Sequence, residues 1–387
     1  MNLTSISQTF SVNFNYKLHF TNGLFELSNP FFINLIREYQ NDGQVKLIIV
    51  VDKNVSDANS NLLDDISSYT LAHNAHIDLK EIIKVVGGEA SKNKQANVER
   101  IWKSINEKSI CRHSFVIVIG GGAVIDMVGY AAATAHRGVK LIRVPTTVLA
   151  QNDAAVGVKN SVNAFEKKNF IGTFTVPYAI INDFDFLKTL DQRDWISGVA
   201  EALKVALIKD ADFFEFIQNN AKQLSDRKMQ AMAPLIYKCA EIHMHHISQG
   251  GDPFENGSSR PLDFGHWAAH KLEQMTNYEL RHGEAVAKGI ALDVTYSYLI
   301  GLIDEQTLNQ ILEVFYTVGF DLALPISNTK TVDKLLKGIE EFREHLGGRL
   351  TITLISGIGK KHDVHQIDKE RMQQAIALRS IEQQLFS

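Results

Sequence analysis

Cysteine and proline are both scarce: the chain holds two cysteines and seven prolines in 387 residues. Two thiols, Cys111 and Cys239, cannot build a disulfide framework or a multi-cysteine metal site, and reduced thiols in a cytosolic protein are the plainer expectation. So few prolines argue against long proline-rich linkers. No run of ~18 apolar residues occurs, so no segment is read as spanning a membrane. Met1 to Phe20 lacks a basic stretch followed by an apolar one and a small-residue cleavage site, which makes a cytoplasmic protein the default. Neither sign of charge dominates: Lys+Arg 40 against Asp+Glu 44 gives −4, no general field for nucleic acid or an anionic membrane. An anionic ligand must be gripped locally.

What is present is ordinary globular material, 45% hydrophobic and 22% charged, long enough that two domains are expected. The first half alternates short β-branched runs with helical stretches. Val45 to Val51 ends at Asp52, Ile82 to Val86 at Gly87-Gly88-Glu89, Phe115 to Ile119 at Gly120-Gly121-Gly122, and Lys140 to Val144 at Pro145-Thr146-Thr147. Between them Val98, Ile101, Trp102 and Ile105 fall at helical spacing. Apolar strands separated by helices predict a parallel sheet covered on both faces, with ligands beyond the carboxyl ends of the strands. From about Phe186 long amphipathic stretches take over: 199–208, 212–223, 229–247, 265–275 and 284–299, with one late β-like run, Leu350 to Ile355. There is no internal repeat. The expected architecture is an N-terminal α/β nucleotide-binding domain with a Rossmann-like parallel sheet, residues 1–185. A mostly helical metal- and substrate-binding domain, residues 186–387, follows it, with a cleft between the two.

Three groups of residues could carry chemistry. Gly120-Gly121-Gly122 after a strand lets backbone N–H groups approach a pyrophosphate at the next helix, although a tight turn alone would use the same glycines. Asp52 at a strand end could accept from a ribose hydroxyl or cap the following helix. A second cluster runs from Pro145-Thr146-Thr147 through Asp153, Gly157, Lys159 and Asn160 to Lys168-Asn169; lysines beside glycine and asparagine suit a phosphate, or are solvated surface charge. In the helical half, Glu201 and Lys204 share a helix face, as do His266 and His270, and His282 opens a helix. Glutamate with two histidines is a familiar three-ligand zinc set, but His243, His245 and His246 compete and spacing alone leaves the choice of ligands open.

Taken together these motifs resemble the sugar phosphate cyclases, the family of 3-dehydroquinate synthase, from about Val50 to Gly359. The resemblance rests on Gly88-Glu89 with Lys92, Gly120 to Gly122 with Asp126, Arg137-Gly138, Thr146-Thr147, Asp153 to Lys159, Lys168-Asn169, Glu201 to Lys204, Gly265-His266 and His282-Gly283-Glu284-Ala285-Val286. It implies a dehydroquinate synthase-like fold and a homodimer. NAD would lie on Asp52, Glu89, Lys92, Gly121, Gly122, Asp126, Thr146 and Thr147, and a zinc or cobalt ion on Glu201, His266 and His282. Lys159, Asn169 and His270 match the substrate-phosphate site, with Lys168 a further local donor. Arg137 matches an arginine that reaches the neighbouring subunit's site, and Asp153 and Lys204 match residues that orient substrate hydroxyls. The implied reaction is transient oxidation of a heptulose 7-phosphate by NAD, elimination of phosphate, return of the hydride and an intramolecular aldol closure.

Departures from the dehydroquinate synthase pattern bear on the substrate. Ser259 stands where that enzyme has arginine, Asp263 where it has asparagine, and His245 where it has a lysine; Arg260 lies one position over. The family's cations at those positions grip a carboxylate, and losing a charge-assisted bond forfeits on the order of 1.5–3 kcal/mol. Arg260-Pro261-Leu262-Asp263, Asp153 to Asn160, and Phe342 to Gly348 with its following strand look instead like the branch that cyclises sedoheptulose 7-phosphate, such as 2-epi-5-epi-valiolone synthase, while His270 remains as in dehydroquinate synthases. The mixture also resembles an Ebo-type bacterial branch. Sedoheptulose 7-phosphate is therefore the favoured substrate. The heptulosonate 7-phosphate of dehydroquinate synthase, an NAD- and metal-dependent polyol dehydrogenase, and a non-catalytic scaffold are the rival readings.

Overall fold

A computed structural model describes residues 5–165, 167–250, 254 and 261–381. Six parallel strands form its main sheet: β1 (Lys17–Thr21), β2 (Val45–Asp52), β3 (Ile77–Val85), β4 (Phe115–Gly120), β5 (Lys140–Pro145) and β8 (Ala179–Asp183), in the order β1-β8-β5-β4-β2-β3. The central strands β2 and β4 are apolar on both sides because both sides are covered. Leu47, Ile49, Ile117 and Ile119 face α1 (Phe31–Tyr39) and α3 (Leu62–Ala72), whereas Ile48, Val50, Val116 and Val118 face α4 (Gln95–Glu107) and α5 (Gly122–Thr134). This period-2 division between two helical layers is what a continuous β-branched run encodes. A short helix α2 (Lys53–Ala58) follows β2. The strand order reverses direction between β2 and β4, so their carboxyl ends, Asp52 and Gly120, flank the crevice where ligands bind in open sheets.

Two elements lie outside the sheet as read from sequence. Strands β6 (Lys159–Ala164) and β7 (Lys167–Phe174) pair antiparallel into a separate ribbon, and edge strand β1 lies beside β8. The helical half comprises α6 (Gln192–Lys209), α7 (Ala211–Ser225), α8 (Met229–Gln249), α9 (His266–Met275), α10 (His282–Leu299), α11 (Glu305–Val318), α12 (Thr329–His345) and α13 (Lys369–Ile381). The late β-like run is β9 (Ile352–Gly357), paired with β10 (Lys360–Val364), and its Ile352 and Leu354 pack on the helices. Every residue of α6 from Trp195 to Ile208 is buried, as is nearly all of α10; these two are the spine of the half, apolar all round except where they carry function.

Close approach of the helices is built on absent side chains. Gly265, at φ +78°, precedes α9, and a methyl group on it would press on the backbone of Ile290 in α10. One on Gly289 would meet the Gly265 carbonyl. Gly283 fits against Ser197 of α6 and donates its N–H to the Ser197 hydroxyl at 3.2 Å. The starts of α9 and α10 are thereby drawn onto α6.

Asp293 of α10 pins the same corner, accepting from the Trp267 indole at 2.9 Å and the Gly265 amide at 3.2 Å. Burial pushes its carboxyl up to about 7 despite these two bonds. Between the unfolded value of ~3.9 and that pH the folded chain holds a proton that the unfolded chain has lost, so stability falls as pH rises across this interval. Replacing Asp293 by Asn should flatten the slope of unfolding free energy between about pH 4 and 7, read by denaturant titrations across that range.

Candidate active site

The site is assembled from both halves. Helix α6 carries Glu201 and Lys204 three residues apart, fully buried, with Lys204 Nζ 2.5 Å from Glu201 Oε2 and 3.8 Å from Asp153 Oδ2. Burial works against the Lys204 charge, but Asp153 and Glu201 override it and hold the ammonium above its ordinary value. The same ammonium, with the imidazole of His243, keeps Asp153 ionised well below the usual carboxylate range in spite of its burial. His243 Nδ1 lies 2.6 Å from Asp153 Oδ1. His245, expected from sequence to face the substrate, is exposed; two residues along a helix turn a side chain about 200°, so α8 presents His243 to the site instead.

Glu201, His266 and His282 come together as the resemblance implied. Glu201 Oε1 lies 3.4 Å from His282 Nε2 and 3.7 Å from His266 Nε2. Ligands ~2.1 Å from an ion at tetrahedral angles stand roughly 3.4 Å apart, so the spacing fits a divalent ion. Glu201 Oε1 is buried with no hydrogen-bond partner among the described residues, an orphan that a cation would satisfy. Each imidazole is turned to offer Nε2: His266 Nδ1 is 3.1 Å from the Phe264 carbonyl, and His282 Nδ1 is 3.4 Å from Glu273 Oε2. A second donor set, His270, Glu273 and His282, shares one imidazole. Both oxygens of Glu273 have partners, Lys168 at 2.9 Å and His282 Nδ1 at 3.4 Å, whereas Glu201 Oε1 has none among the described residues, so the Glu201 set is the better metal site. Glu273, one turn past His270, went unnoticed in the sequence; its position seven residues after His266 on the same helix was the available signal.

The cofactor residues gather at the crevice between β2 and β4. Asp52 is buried and caps α2, accepting from the Asn54 amide at 2.8 Å; burial outweighs that bond and raises its carboxyl. Gly121 and Gly122 open α5, which has no side-chain cap. A methyl group on Gly122 would come within 2.9 Å of Ala154. Thr147 Oγ1 accepts from the Ala150 amide at 3.1 Å, and Thr146 Oγ1 is buried without a partner among the described residues. A bare helix start and an orphaned hydroxyl beside bare glycine backbone fit a pyrophosphate.

The β6–β7 ribbon straps the halves together. Lys92 Nζ lies 2.8 Å from Asp126 Oδ2 and also donates to Asn169 Oδ1, which accepts from the Ser161 hydroxyl at 2.9 Å. Asn163 donates to Glu89 at 2.9 Å, and Lys168 reaches Glu273 of the helical half. Asn169 thus belongs to one network with the expected cofactor residues Lys92 and Asp126. Lys159, exposed, begins the ribbon. Asp263, on the short turn Pro261–Asp263 before α9, acts electrostatically on Lys204, His266 and His270. His270 itself lies across from His266 and His282, with ring centroids 5.5 and 6.0 Å apart.

Arg137 does not join these residues within the chain. It precedes β5 and lines a cavity of about 700 Å³ with Cys111, Arg112 and His136, at the amino ends of β4 and β5 and across the sheet from the glycine turn. Arg260 and Ser259 lie outside the described residues. Sequence reading missed Arg143, which is wholly buried in β5 and donates to the carbonyls of Ala155 at 2.8 Å, Gly157 at 2.5 Å and Lys159 at 3.2 Å, and to Asn160 Oδ1 at 2.8 Å. One guanidinium therefore shapes the whole loop from Asp153 to Lys159.

Against this geometry, comparison with known proteins is direct. The family profiles for the 3-dehydroquinate synthase N-terminal and C-terminal regions match residues 82–197 and 198–341. The chain belongs to the 3-dehydroquinate synthase family and is an enzyme of the sugar phosphate cyclase class. It is similar to 3-dehydroquinate synthase of Alkaliphilus metalliredigens, 34% identical over 325 residues covering 83% of this chain and 87% of the relative. The enzyme of Shewanella sp. (strain MR-4) is 34% identical over 281 residues, 72% of this chain and 77% of that one. Among solved structures, 2-epi-5-epi-valiolone synthase from Streptomyces hygroscopicus subsp. jinggangensis 5008, with NAD+ and Zn2+ bound, superposes with a TM-score of 0.86 at 25% identity, over 98% of this chain and 99% of that one.

Two outcomes follow from this geometry. Arg143→Ala leaves several buried carbonyls unpaired and should lower unfolding free energy by ~3 kcal/mol or more in denaturant titrations. His282 is raised to about 10, burial being overcome by Glu273 and Glu201, so ligation must expel its proton. Adding zinc or cobalt to metal-free protein in weak buffer should release protons, and apparent metal affinity should fall as pH is lowered.

Proposed function

We propose that this chain is an NAD- and divalent-metal-dependent sugar phosphate cyclase that converts a neutral heptulose 7-phosphate, of the sedoheptulose type, into a carbocycle with loss of phosphate. A bound zinc or cobalt ion supplies a Lewis acid, and bound NAD a hydride acceptor restored within the turnover. Glu201, His266 and His282 would hold the ion. Asp52, Gly121, Gly122, Thr146 and Thr147 would hold the dinucleotide, with Glu89, Lys92 and Asp126 beneath the ribbon. Lys159 and Asn169 would grip the phosphate, together with Lys168 and His270; a phosphate held over the ring can take the neighbouring C–H proton as it leaves, so its grip serves both binding and catalysis. Asp153 and Lys204, locked to each other and to Glu201, orient the ring hydroxyls.

The observation that carries the substrate class is Asp263. It stands on the turn three residues before His266, where 3-dehydroquinate synthases have asparagine, and a substrate carboxylate there would meet repulsion. The heptulosonate 7-phosphate of 3-dehydroquinate synthase is the second reading, favoured by the curated relatives and by the retained His270. Division at residues 185 and 186, a homodimer in which Arg137 serves the partner copy's site, and a cytoplasmic location belong to the same proposal.

Purified protein with NAD, zinc or cobalt and sedoheptulose 7-phosphate should release phosphate without net NADH and give a carbocycle by NMR. Release from the heptulosonate alone overturns the substrate assignment, and net NADH from glycerol would mark a polyol dehydrogenase. Glu201→Ala should abolish metal binding and turnover, which a scaffold would not need. Asp263→Asn should improve kcat/KM for the heptulosonate by roughly tenfold or more, about 1.4 kcal/mol of repulsion removed.

A further inference from the structure

Glu273 is a buried carboxylate with two cationic neighbours and no part in the reaction as described. Its side chain is 4% exposed. One oxygen faces His282 Nδ1 at 3.4 Å and the other the Lys168 ammonium at 2.9 Å. Burial opposes its charge, but His282 and Lys168 hold it below the usual carboxylate range. An acid paired this way is fixed at both ends: the ribbon's lysine pins one oxygen while the other receives the imidazole. The Lys168 ammonium also lies 4.8 Å from the centre of the Tyr278 ring, which anchors it at the end of α9.

From this juxtaposition we propose that Glu273 is a positioning residue: it fixes the ring of His282 so that Nδ1 carries the proton and Nε2 is delivered toward Glu201 Oε1 as a metal donor. Free rotation of an exposed-edge imidazole would spread its lone pair over orientations of which few meet the ion. His282, a third exposed, has more freedom than His266, which is nearly buried. His266 takes the corresponding bond from a rigid backbone carbonyl, Phe264; His282 stands at the first position of α10 and takes it from a side chain on α9. The two ligands thus have different supports, and the mobile one is held by a residue that also anchors the ribbon. Outer partners of this kind are worth about 10–100-fold in metal affinity.

The proposal rests on Glu201, His266 and His282 as the metal set but on neither substrate nor reaction, so metal binding tests it apart from activity. Cobalt affinity would be measured by chelator competition on the wild type, Glu273→Ala and Glu273→Gln, with thermal unfolding of the metal-free proteins as the check on folding. Affinity should drop about 10–100-fold in Glu273→Ala and less in Glu273→Gln, which keeps an acceptor and decides the matter if the alanine variant does not fold. Cobalt-loaded wild type should show two exchangeable, paramagnetically shifted ring N–H signals in water. In the alanine variant the His282 signal should be lost to exchange while that of His266 persists. Unchanged affinity and both signals in a folded variant would overturn the proposal with the metal set intact. A wild-type chain that binds no cobalt would overturn both.

Discussion

One buried ammonium facing a buried and a half-buried carboxylate is the interaction on which the rest of the site depends. Lys204, Glu201 and Asp153 lie in an interior where an unpaired charge is strongly unfavourable, and their mutual pairing leaves one negative charge in excess before the histidines are counted. That excess has a location: Glu201 Oε1 has no hydrogen-bond partner among the described residues and faces two imidazoles. A divalent ion is the species that satisfies the orphaned oxygen and uses both lone pairs. The ammonium then remains to hold Asp153, which reaches from the sheet half into the helical half, so the charge pairing also ties the two halves together.

The surrounding fold keeps these charges from relaxing apart. Arg143 fixes the loop that carries Asp153, Gly265 and Gly289 let α9 and α10 meet, and Asp293 pins the turn before His266. None of these is itself one of the metal-ligating side chains. They determine how little the first ring of residues can move, on which placement to within an ångström depends. The β6–β7 ribbon adds a tie across the cleft, with Asn169 bound to Lys92 on one side and Lys168 to Glu273 on the other.

Much of this was legible in the sequence. Strands β2 and β4 announce themselves because each is buried on both faces and reads as a nearly continuous apolar run, β5 does so around the buried Arg143, and the residues after them mark the ligand crevice. The metal set was legible only through the resemblance, since three ligands on three different helices have no spacing signature. What escaped did so for physical reasons. Ribbon strands β6 and β7, the second mostly exposed, carry no apolar run, and edge strand β1 mixes Lys17 and His19 with Leu18 and Phe20. Helices α11 to α13 were not distinguished in the long C-terminal stretch. Arg143 and Glu273 were invisible because buried charges are recognised by their partners, which lie 12 to 17 and 9 to 105 residues away. His245 was singled out because it stands where 3-dehydroquinate synthase has a lysine, and that resemblance does not say which face of α8 turns inward.

A metal centre built in the helical half by the excess negative charge at Glu201 and two oriented imidazoles, facing Asp153 of the sheet half, is tested most directly by X-ray absorption on the zinc-loaded protein. The first shell should contain light atoms only, a carboxylate oxygen with the multiple-scattering signature of two imidazoles, and one of the two imidazole contributions should be lost in His282→Ala. A shell containing sulfur, or one unchanged when His282 is removed, would contradict it.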